Sequence, residues 1–575
     1  MASSELRSAP GTAGADTGAA AAQRAPGSPP PSHARQMRPD MLASTPVHVS
    51  VKFSYLSSER MWHEKHSGLY NLAAVILVAG NIRMALENAL KYGLRSGGRM
   101  VSFLTFGNPN IPLALCYPIM LLMVLLSLVS ELAAYRFLLI ERSIYTQLTK
   151  QRDLSSADAV ASLARRASVA EWLVFLSNIA NTTAAIGVPW AVIYNTKAEP
   201  AEAIVLILLA CILWMKLVSY HHVCWDLRRC RRAAGYAFVE ATGAETAGSR
   251  RIRTATSGES RAPSRSASGD AVSAASCSLD DRSPSDDATG RTPSGGEGGE
   301  GDDAASAYAG LCGYERGTPS TPAEWALLRY PENLTLSNLA YFAAAPTLTY
   351  QVNYPRTEKI RLKWLGRRVF ELAIVLTAMV LLVNQYIFPA VHNSMRPLQE
   401  MDWLHLCERV LRLALPNTYV WLCMFYSLFH LWLNILAELL RFGDREFYKD
   451  WWNASTVGEY WRLWNMPVHK WLLRHVYFPS IRLGCSKMVS MVLVFVVSAF
   501  FHELLLGVPL HMVRFWAFTG IMLQVPLIII SEKIKRRLNS DQWGNIMFWL
   551  SFCIVGQPVC TLIYYHDYMK INGGL

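Results

Sequence analysis

The chain has 575 residues, of which 52% are hydrophobic and only 17% are charged. Soluble domains carry about 25% charged residues, and the apolar residues here form blocks as long as the roughly 20 residues that cross a bilayer as a helix. The net charge of +12 comes mostly from loops between these blocks, where membrane proteins carry basic residues, so it does not indicate nucleic-acid binding. The composition therefore excludes a soluble globular protein.

Two low-complexity segments interrupt the apolar pattern. Residues 1–50 form an arm rich in Ala, Gly, Ser and Pro, which we expect to be disordered because it cannot bury enough apolar surface. Residues 236–323 form an insert, first basic and Ser-rich and then acidic and Gly-rich, typical of a disordered cytosolic linker. Residues 1–45 lack the apolar core of a signal peptide, so we expect the first span to act as the insertion signal.

The remaining sequence predicts an all-α polytopic membrane protein with about nine transmembrane helices. Four of them fall within 51–235 and five within 324–575. We find no internal repeat among them. The predicted spans lie near 69–90, 111–133, 168–193, 201–220, 369–390, 416–440, 488–507, 513–531 and 544–565.

The basic loops predict the orientation of these spans. Arg228–Arg232, Lys359–Arg368, the stretch 441–487 and Lys533–Arg537 all fall on the cytosolic side if the N-terminus is cytosolic. The loop with Lys91, Arg95 and Arg99 disagrees, and the other loops outweigh it. The 11 cysteines are scattered without CxxC or metal-finger spacing, so we predict neither a disulfide framework nor a metal site.

Ionisable residues inside predicted spans are candidates for function, because burying them in lipid is costly. The run SAFFHELLLGVPL places His502 and Glu503 in an apolar helix, and a neutral imidazole there can take a proton from an alcohol. A histidine bonded to a neighbouring helix is the open alternative. His430 has no adjacent acid, and His566 lies beside Asp567 at a helix end, so structural roles are favoured for both.

The stretch 441–479 mixes aromatic rings with charges, as segments at a membrane–water interface do. An interfacial belt without any catalytic part is one interpretation. Against it, Asp450, Asn453 and Asn465 lie among the aromatic residues, and the Asn465 amide is a candidate hydrogen-bond donor to a developing oxyanion. Gln524 and Gln557 lie in apolar segments, where an amide either holds a substrate or bonds to another helix; both readings stay open.

At this stretch the sequence resembles a known family. FYKDWWN at 447–453, followed by His502 in an apolar helix, resembles the membrane-bound O-acyltransferases of the branch that esterifies cholesterol or diacylglycerol. The flanks WNMPVHKW, HELLLGVPLHMVRFWAFTG, GQP at 556–558 and YYHDY are similar to the members acting on diacylglycerol. The same holds for YPENLTLSNLAYFAAAPTLTYQVNYPR at 330–356 and for NIRMALENALKYG upstream. The resemblance covers about 51–235 and 325–575.

The resemblance implies the fold of that family, with 324–575 as the catalytic region, in the endoplasmic reticulum membrane. His502 is then the general base for direct attack of the diacylglycerol hydroxyl on the thioester of acyl-CoA, a co-substrate, and no cofactor or metal is expected. Asn465 lies in the reaction chamber with Glu503, Gln524 and Gln557, and self-association as a homodimer or homotetramer is implied. The expected substrate-binding residues of the signature region are Phe447, Tyr448, Asp450, Trp451, Trp452, Asn453 and Trp464.

Two other functions stay open from the sequence. A sterol or long-chain alcohol acceptor would use the same signature. A polytopic lipid transporter would line its path with the intramembrane His and Gln residues, but the inverted repeats typical of transporters are not found.

Deleting 245–320 is expected to leave ester formation largely intact, because nothing in that stretch carries chemistry. The check is the rate of ester formation per amount of expressed protein. A well-expressed deletion variant without activity would contradict the assignment of this stretch as a linker.

Overall fold

The computed structural model describes residues 43–57, 110–151, 156–196, 198–256, 330–395, 402–538 and 541–571, with the single positions 90, 328, 397 and 400. These residues are almost entirely helical. Within them, extended pairing is limited to two isolated bridges, Lys52 with Asp444 and Arg356 with Phe442. The predicted first span at 69–90 lies outside the described residues except for its last position.

Eleven helices or helical segments carry the fold and are numbered here in chain order. The first three are α1 (Ile111–Gln151), α2 (Ser156–Thr196) and α3 (Pro200–Thr256). The next three are α4 (Leu336–Ala344), α5 (Leu362–His392) and α6 (Trp403–Leu439). The last five are α7 (Val457–Leu463), α8 (Met466–Leu472, continuing through Leu473–Tyr477 to Phe478–Arg482), α9 (Lys487–Gly507), α10 (Trp516–Leu538) and α11 (Trp543–Ile571).

Seven helices of the described part are long and apolar enough to cross a membrane, by length and composition: α1, α3, α5, α6, α9, α10 and α11. α2 occupies the predicted span at 168–193 but is not among the seven. Its apolar run is interrupted by Asn178, Asn181 and Thr182, whose side chains bond to α1 or to the α2 backbone. The chain is therefore a multi-pass helical membrane protein, and the total of nine spans stays a prediction.

Side-chain caps fix where several helices begin. Thr335, Asp402, Thr456 and Ser486 each accept a hydrogen bond from the backbone N–H three residues ahead. Such a cap satisfies one of the amides that the first helical turn leaves without a partner. Because each cap is a short polar residue at the helix start, the local sequence determines where α4, α6, α7 and α9 begin.

A buried network of charges joins α1, α2 and α3. The Arg228 guanidinium donates to Glu131 on α1 and, at 3.2 Å, to Glu171 on α2. Glu131 also pairs with His221 at 3.0 Å, and Arg232 bridges Glu171 with Glu141. Within a membrane such groups persist only when they satisfy one another. The network therefore fixes the relative positions of these three helices.

A second buried charge ties α3 to the short helix α4. The Lys216 ammonium donates to the carbonyl oxygens of Phe342 and Ala345, each at 2.7 Å, at the end of α4. The carbonyls at a helix C-terminus carry partial negative charge, which a cation stabilises. The stretch 330–356 is thus held against the helical bundle rather than left as a surface loop.

Residues 43–57, most of which fall in the predicted N-terminal arm, pack on the helical body. The Ala43 N–H donates to Asp226 at 2.8 Å, and Lys52 exchanges backbone bonds with Gly443 and Arg445. The ring of His48 is buried, donating from Nδ1 to Asp444 at 2.7 Å and accepting at Nε2 from Thr347 at 2.8 Å. These contacts are made with residues far away in the chain, so local composition does not reveal them.

The insert boundary also differs from the sequence expectation. α3 continues to Thr256, past residue 235, where the sequence analysis ends the first group of helices. Residues 257–323 lie outside the described residues. A deletion limited to 257–320 therefore spares α3.

Asp444→Asn is expected to loosen the attachment of residues 43–57. Burial raises the pKa of Asp444, but the hydrogen bond from His48 and the charge of Lys470 outweigh it and lower the pKa from 3.8 to about 2. A lowered carboxyl pKa gives stability that is present above about pH 4 and lost as pH falls towards 2. The difference corresponds to about 2 kcal/mol at neutral pH.

The measurement is the Tm of the detergent-purified parent and Asp444→Asn proteins at pH 6 and at pH 3, where the difference between the two should shrink, with hydrogen exchange of residues 43–57 at pH 6. Glu446→Gln is the matched control, because the Glu446 carboxylate is only part-buried and its pairs with Lys52 and Lys449 lie at 3.3 and 3.7 Å. An equal loss of Tm in both variants would contradict a special role of Asp444.

Candidate active site

His502 lies in the last two turns of α9, the most apolar part of the candidate site. Its Nδ1 lies 2.7 Å from the carbonyl oxygen of Ser498, one turn earlier. Because a carbonyl oxygen can only accept, Nδ1 carries the hydrogen and Nε2 holds the lone pair in the neutral ring. The ring is half-buried and stands edge-on to the indole of Trp461, with ring centres 6.5 Å apart.

Glu503, the next residue, has a different environment. Its carboxylate is buried and accepts four hydrogen bonds: from the backbone N–H groups of Arg514, Phe515 and Phe518, and from the Tyr564 hydroxyl. The first three come from the turn that begins α10, where Phe515 has a φ of 60°. The carboxylate therefore joins α9 to the start of α10 and to α11, and its lone pairs are already used by the protein.

Asn465 lies at the junction of α7 and α8. Its Oδ1 accepts the Val468 N–H at 3.1 Å and so caps α8, which leaves the amide Nδ2 as its donor. Two backbone bonds join this junction to the FYKDWWN stretch: Met466 N–H to the Phe447 carbonyl at 2.9 Å, and Lys449 N–H to the Leu463 carbonyl at 2.8 Å. Since Trp461 of α7 contacts His502, one short helix connects the signature, Asn465 and the histidine.

The residues of the FYKDWWN stretch divide into two groups. Phe447, Tyr448 and Trp451 are fully buried, and the Tyr448 hydroxyl pairs with the His430 ring at 2.7 Å. Asp450 and Trp452 are half-buried and Asn453 is exposed. Trp464 stacks on Trp421 and Tyr460 with ring centres 5.6 and 6.0 Å apart. The buried rings hold the shape of this region, while only the second group faces outward.

Gln524 and Gln557 begin helical segments on the other side of the candidate site. Gln557 accepts the Asn417 amide of α6 at 3.2 Å, which is the interhelical bond considered from the sequence. Gln524 donates to the Gly520 carbonyl at 3.5 Å, at the limit of a hydrogen bond. Both side chains are half-buried.

The surface around Asn465 and α8 is positively charged. Burial, together with the positive charges of Arg462, Lys449 and Lys470, lowers the pKa of His469 to about 4. On the same helix, Arg474 is 94% buried, and among the described residues its guanidinium has neither a hydrogen bond nor an ion pair. The surroundings of His469 and Arg474 thus disfavour additional positive charge. The same surroundings favour a bound anion.

Several of these groups were not identified from the sequence. Trp461 is one of many aromatic residues in its stretch, and no local pattern distinguishes it. His469 and Arg474 read as ordinary basic residues of a cytosolic loop. Within the described residues, no three His, Cys, Asp or Glu side chains gather as metal ligands.

A multi-pass helical protein with a half-buried histidine, an amide donor nearby and a cationic surface beside them has the features of a membrane-embedded transferase. The family model for the membrane-bound O-acyltransferase family matches residues 315–565. The chain belongs to this family, and it is an acyltransferase enzyme.

Proteins named diacylglycerol O-acyltransferase 1 or 1A are similar to the chain, two of them over most of its length and one over less than half of it. The protein of that name from Corylus americana is 38% identical over 532 residues, covering 92% of this chain and 77% of the relative. Diacylglycerol O-acyltransferase 1A from Glycine max is 38% identical over 534 residues, covering 92% and 84%. Diacylglycerol O-acyltransferase 1 from Bos taurus is 49% identical over 243 residues, covering 42% and 49%.

Substitutions of the adjacent residues His502 and Glu503 are expected to separate chemistry from structure. Glu503→Ala leaves the Tyr564 hydroxyl and three backbone amides without their acceptor, so it should lower stability by about 3–5 kcal/mol. His502→Ala removes one bond to a carbonyl within its own helix and should leave the Tm nearly unchanged. Thermal unfolding in detergent checks both, and a Glu503→Ala variant with the parent Tm would contradict the structural role of its carboxylate.

Proposed function

We propose that the chain transfers the acyl group of acyl-CoA to the free hydroxyl of diacylglycerol, forming triacylglycerol, with His502 as general base. The observation that carries the proposal is the bond from His502 Nδ1 to the Ser498 carbonyl, because it leaves Nε2 as the ring's proton acceptor. The names of the relatives support diacylglycerol as the acceptor. The proposed place is the endoplasmic reticulum membrane with a cytosolic N-terminus, in a self-associating enzyme.

The reaction needs no acyl-enzyme. The diacylglycerol oxygen attacks the thioester carbonyl carbon while its proton moves to Nε2 of His502. The carbonyl oxygen becomes negative in the tetrahedral intermediate, and the Asn465 Nδ2–H is the proposed donor to it. The C–S bond then breaks, and the proton on His502 passes to the leaving CoA sulfur, which restores the neutral imidazole.

The positive surface on α7 and α8 supports entry of acyl-CoA beside Asn465. The phosphates of CoA are anions, which basic side chains bind. Lys449, Arg462 and Lys470 supply positive charge here, and all three lower the pKa of His469. Asp450, Trp452 and Asn453 are the members of the signature that we propose to touch the substrate, since Phe447, Tyr448 and Trp451 are enclosed in the core. Diacylglycerol dissolves in the membrane and enters sideways between helices.

Glu503, Gln524 and Gln557 are proposed to support the chamber in different ways. The Glu503 carboxylate is saturated by protein donors, so it positions α10 and α11 around the histidine. The Gln524 amide, with only a long bond inside its own helix, is the better candidate for a substrate contact. Gln557 would reach a substrate only by exchanging its bond to Asn417.

His502→Ala is expected to lower ester formation by at least about 100-fold, because a general base contributes 10²–10⁴ to the rate. The exposed His405→Ala is the matched control and should keep the parent rate. The measurement is the rate per amount of folded protein, in membranes from cells lacking their own neutral-lipid synthesis. Activity of His502→Ala near the parent value would refute the proposed base.

The same membranes, given labelled acyl-CoA, decide the acceptor. Triacylglycerol is expected when diacylglycerol is supplied. If steryl or long-chain alcohol esters form and triacylglycerol does not, the acceptor is a sterol or a long-chain alcohol and not diacylglycerol.

Asn465→Asp tests the amide donor without removing the helix cap. The aspartate retains an oxygen for the Val468 N–H but has lost Nδ2 and adds negative charge where an oxyanion would form. We expect a fall in kcat of about 100-fold or more with little change in Tm, because one oxyanion donor contributes 10²–10³. Asn465→Ser keeps a cap and lacks only the amide, so parent-like kcat in both variants would exclude this role.

A further inference from the structure

A groove between α1 and α2 has no part in the proposed reaction. Its volume is about 360 Å³, and it is lined by Phe137 of α1 and by α2 residues from three successive turns. On α2 these are the apolar Val169, Ala170, Leu173 and Val174, preceded by Arg165 and Arg166. The groove is therefore apolar along its length and cationic at the end where α2 begins.

Three of the apolar residues that line the groove are exposed. Phe137, Val169 and Leu173 are 51%, 59% and 63% exposed. Arg165 and Arg166 lie two to three residues before the predicted span at 168–193. The prediction places them at the membrane–water boundary, where basic side chains are common. This is the depth at which the phosphates of membrane lipids lie.

The two arginines differ from those on the facing helix α3. Arg228 and Arg232 bond to glutamates, and Arg231 donates to the Tyr330 carbonyl at 2.6 Å. Across the described ranges, Arg165 and Arg166 have no hydrogen bond or ion pair, and both are exposed. Two guanidinium groups without protein partners, at the end of an apolar groove, are complementary to a phosphate that carries an acyl chain.

We propose that this groove binds one anionic glycerophospholipid, with an acyl chain along Phe137, Val169 and Leu173 and the phosphate between Arg165 and Arg166. The choice of an anionic lipid over a neutral one rests on charge, because two uncompensated guanidinium groups favour a headgroup with net negative charge. Glu171, which anchors the α1–α3 charge network, lies one turn beyond the arginines on α2. The bound lipid would thus stabilise α2 from the lipid side, opposite to that network.

The test uses the full chain reconstituted in phosphatidylcholine membranes with or without phosphatidylserine. Native mass spectrometry of the released protein counts the retained phosphatidylserine. The parent is expected to retain one phosphatidylserine that Arg165→Gln/Arg166→Gln binds about 30-fold more weakly, given about fivefold per basic residue near a membrane surface. Arg142→Gln, an exposed arginine of α1 outside the groove, is the matched control and should behave as the parent.

A second variant separates the groove from the charge. Val169→Trp fills the groove and keeps both arginines, so it should lose the same lipid. Glycerol 3-phosphate, which has the phosphate without an acyl chain, should not displace it. Equal retention by parent, double variant and Val169→Trp, or displacement by glycerol 3-phosphate, would overturn the proposal.

Discussion

A polar group inside a membrane protein needs hydrogen-bond partners, and these partners decide what the group can still bind. For the proposed site, the decisive hydrogen bond is the one from His502 to the Ser498 carbonyl. Both partners of this bond lie in α9, so the bond does not join His502 to another helix. It sets the tautomer and the orientation of the ring together. A ring bonded to a carboxylate of a neighbouring helix would instead have been a structural cross-link, as His221 is with Glu131.

Other buried polar groups of the described helices show the same constraint with the opposite result. Glu131, Arg228 and Glu503 are all buried, and each is surrounded by donors or acceptors from other helices. Because no water competes in the hydrocarbon region, such groups hold helices in place but have no capacity left for a substrate. The groups that we propose for the reaction are those that keep unused hydrogen-bonding capacity or charge: Nε2 of His502, Nδ2 of Asn465 and the cationic face of α8.

The FYKDWWN stretch connects this chemistry to the N-terminal segment. Its buried rings pack into the core, and its backbone is bonded to the α7–α8 junction that presents Asn465. Residues 43–57 run along the preceding residues, with Lys52 paired to Gly443 and the Ser54 hydroxyl donating to Tyr448 at 3.2 Å. The signature is thus bonded both to the N-terminal segment and to the α7–α8 junction.

Much of this architecture is determined by the sequence alone. The apolar blocks predict eight of the helices in the described part, because hydrocarbon-crossing segments must be long, apolar and helical. The pairing of FYKDWWN with His502 also indicates the family. The sequence does not show which polar group already has its hydrogen bonds satisfied. Glu503 and His502 are adjacent in the chain, yet the Glu503 carboxylate accepts four hydrogen bonds from the start of α10 and from α11, whereas the hydrogen bond of His502 is to its own helix. That difference, like the anchoring of His48 by Asp444 and the approach of Trp461 to His502, arises from contacts between residues far apart in the chain, and only the packing of the helices decides them.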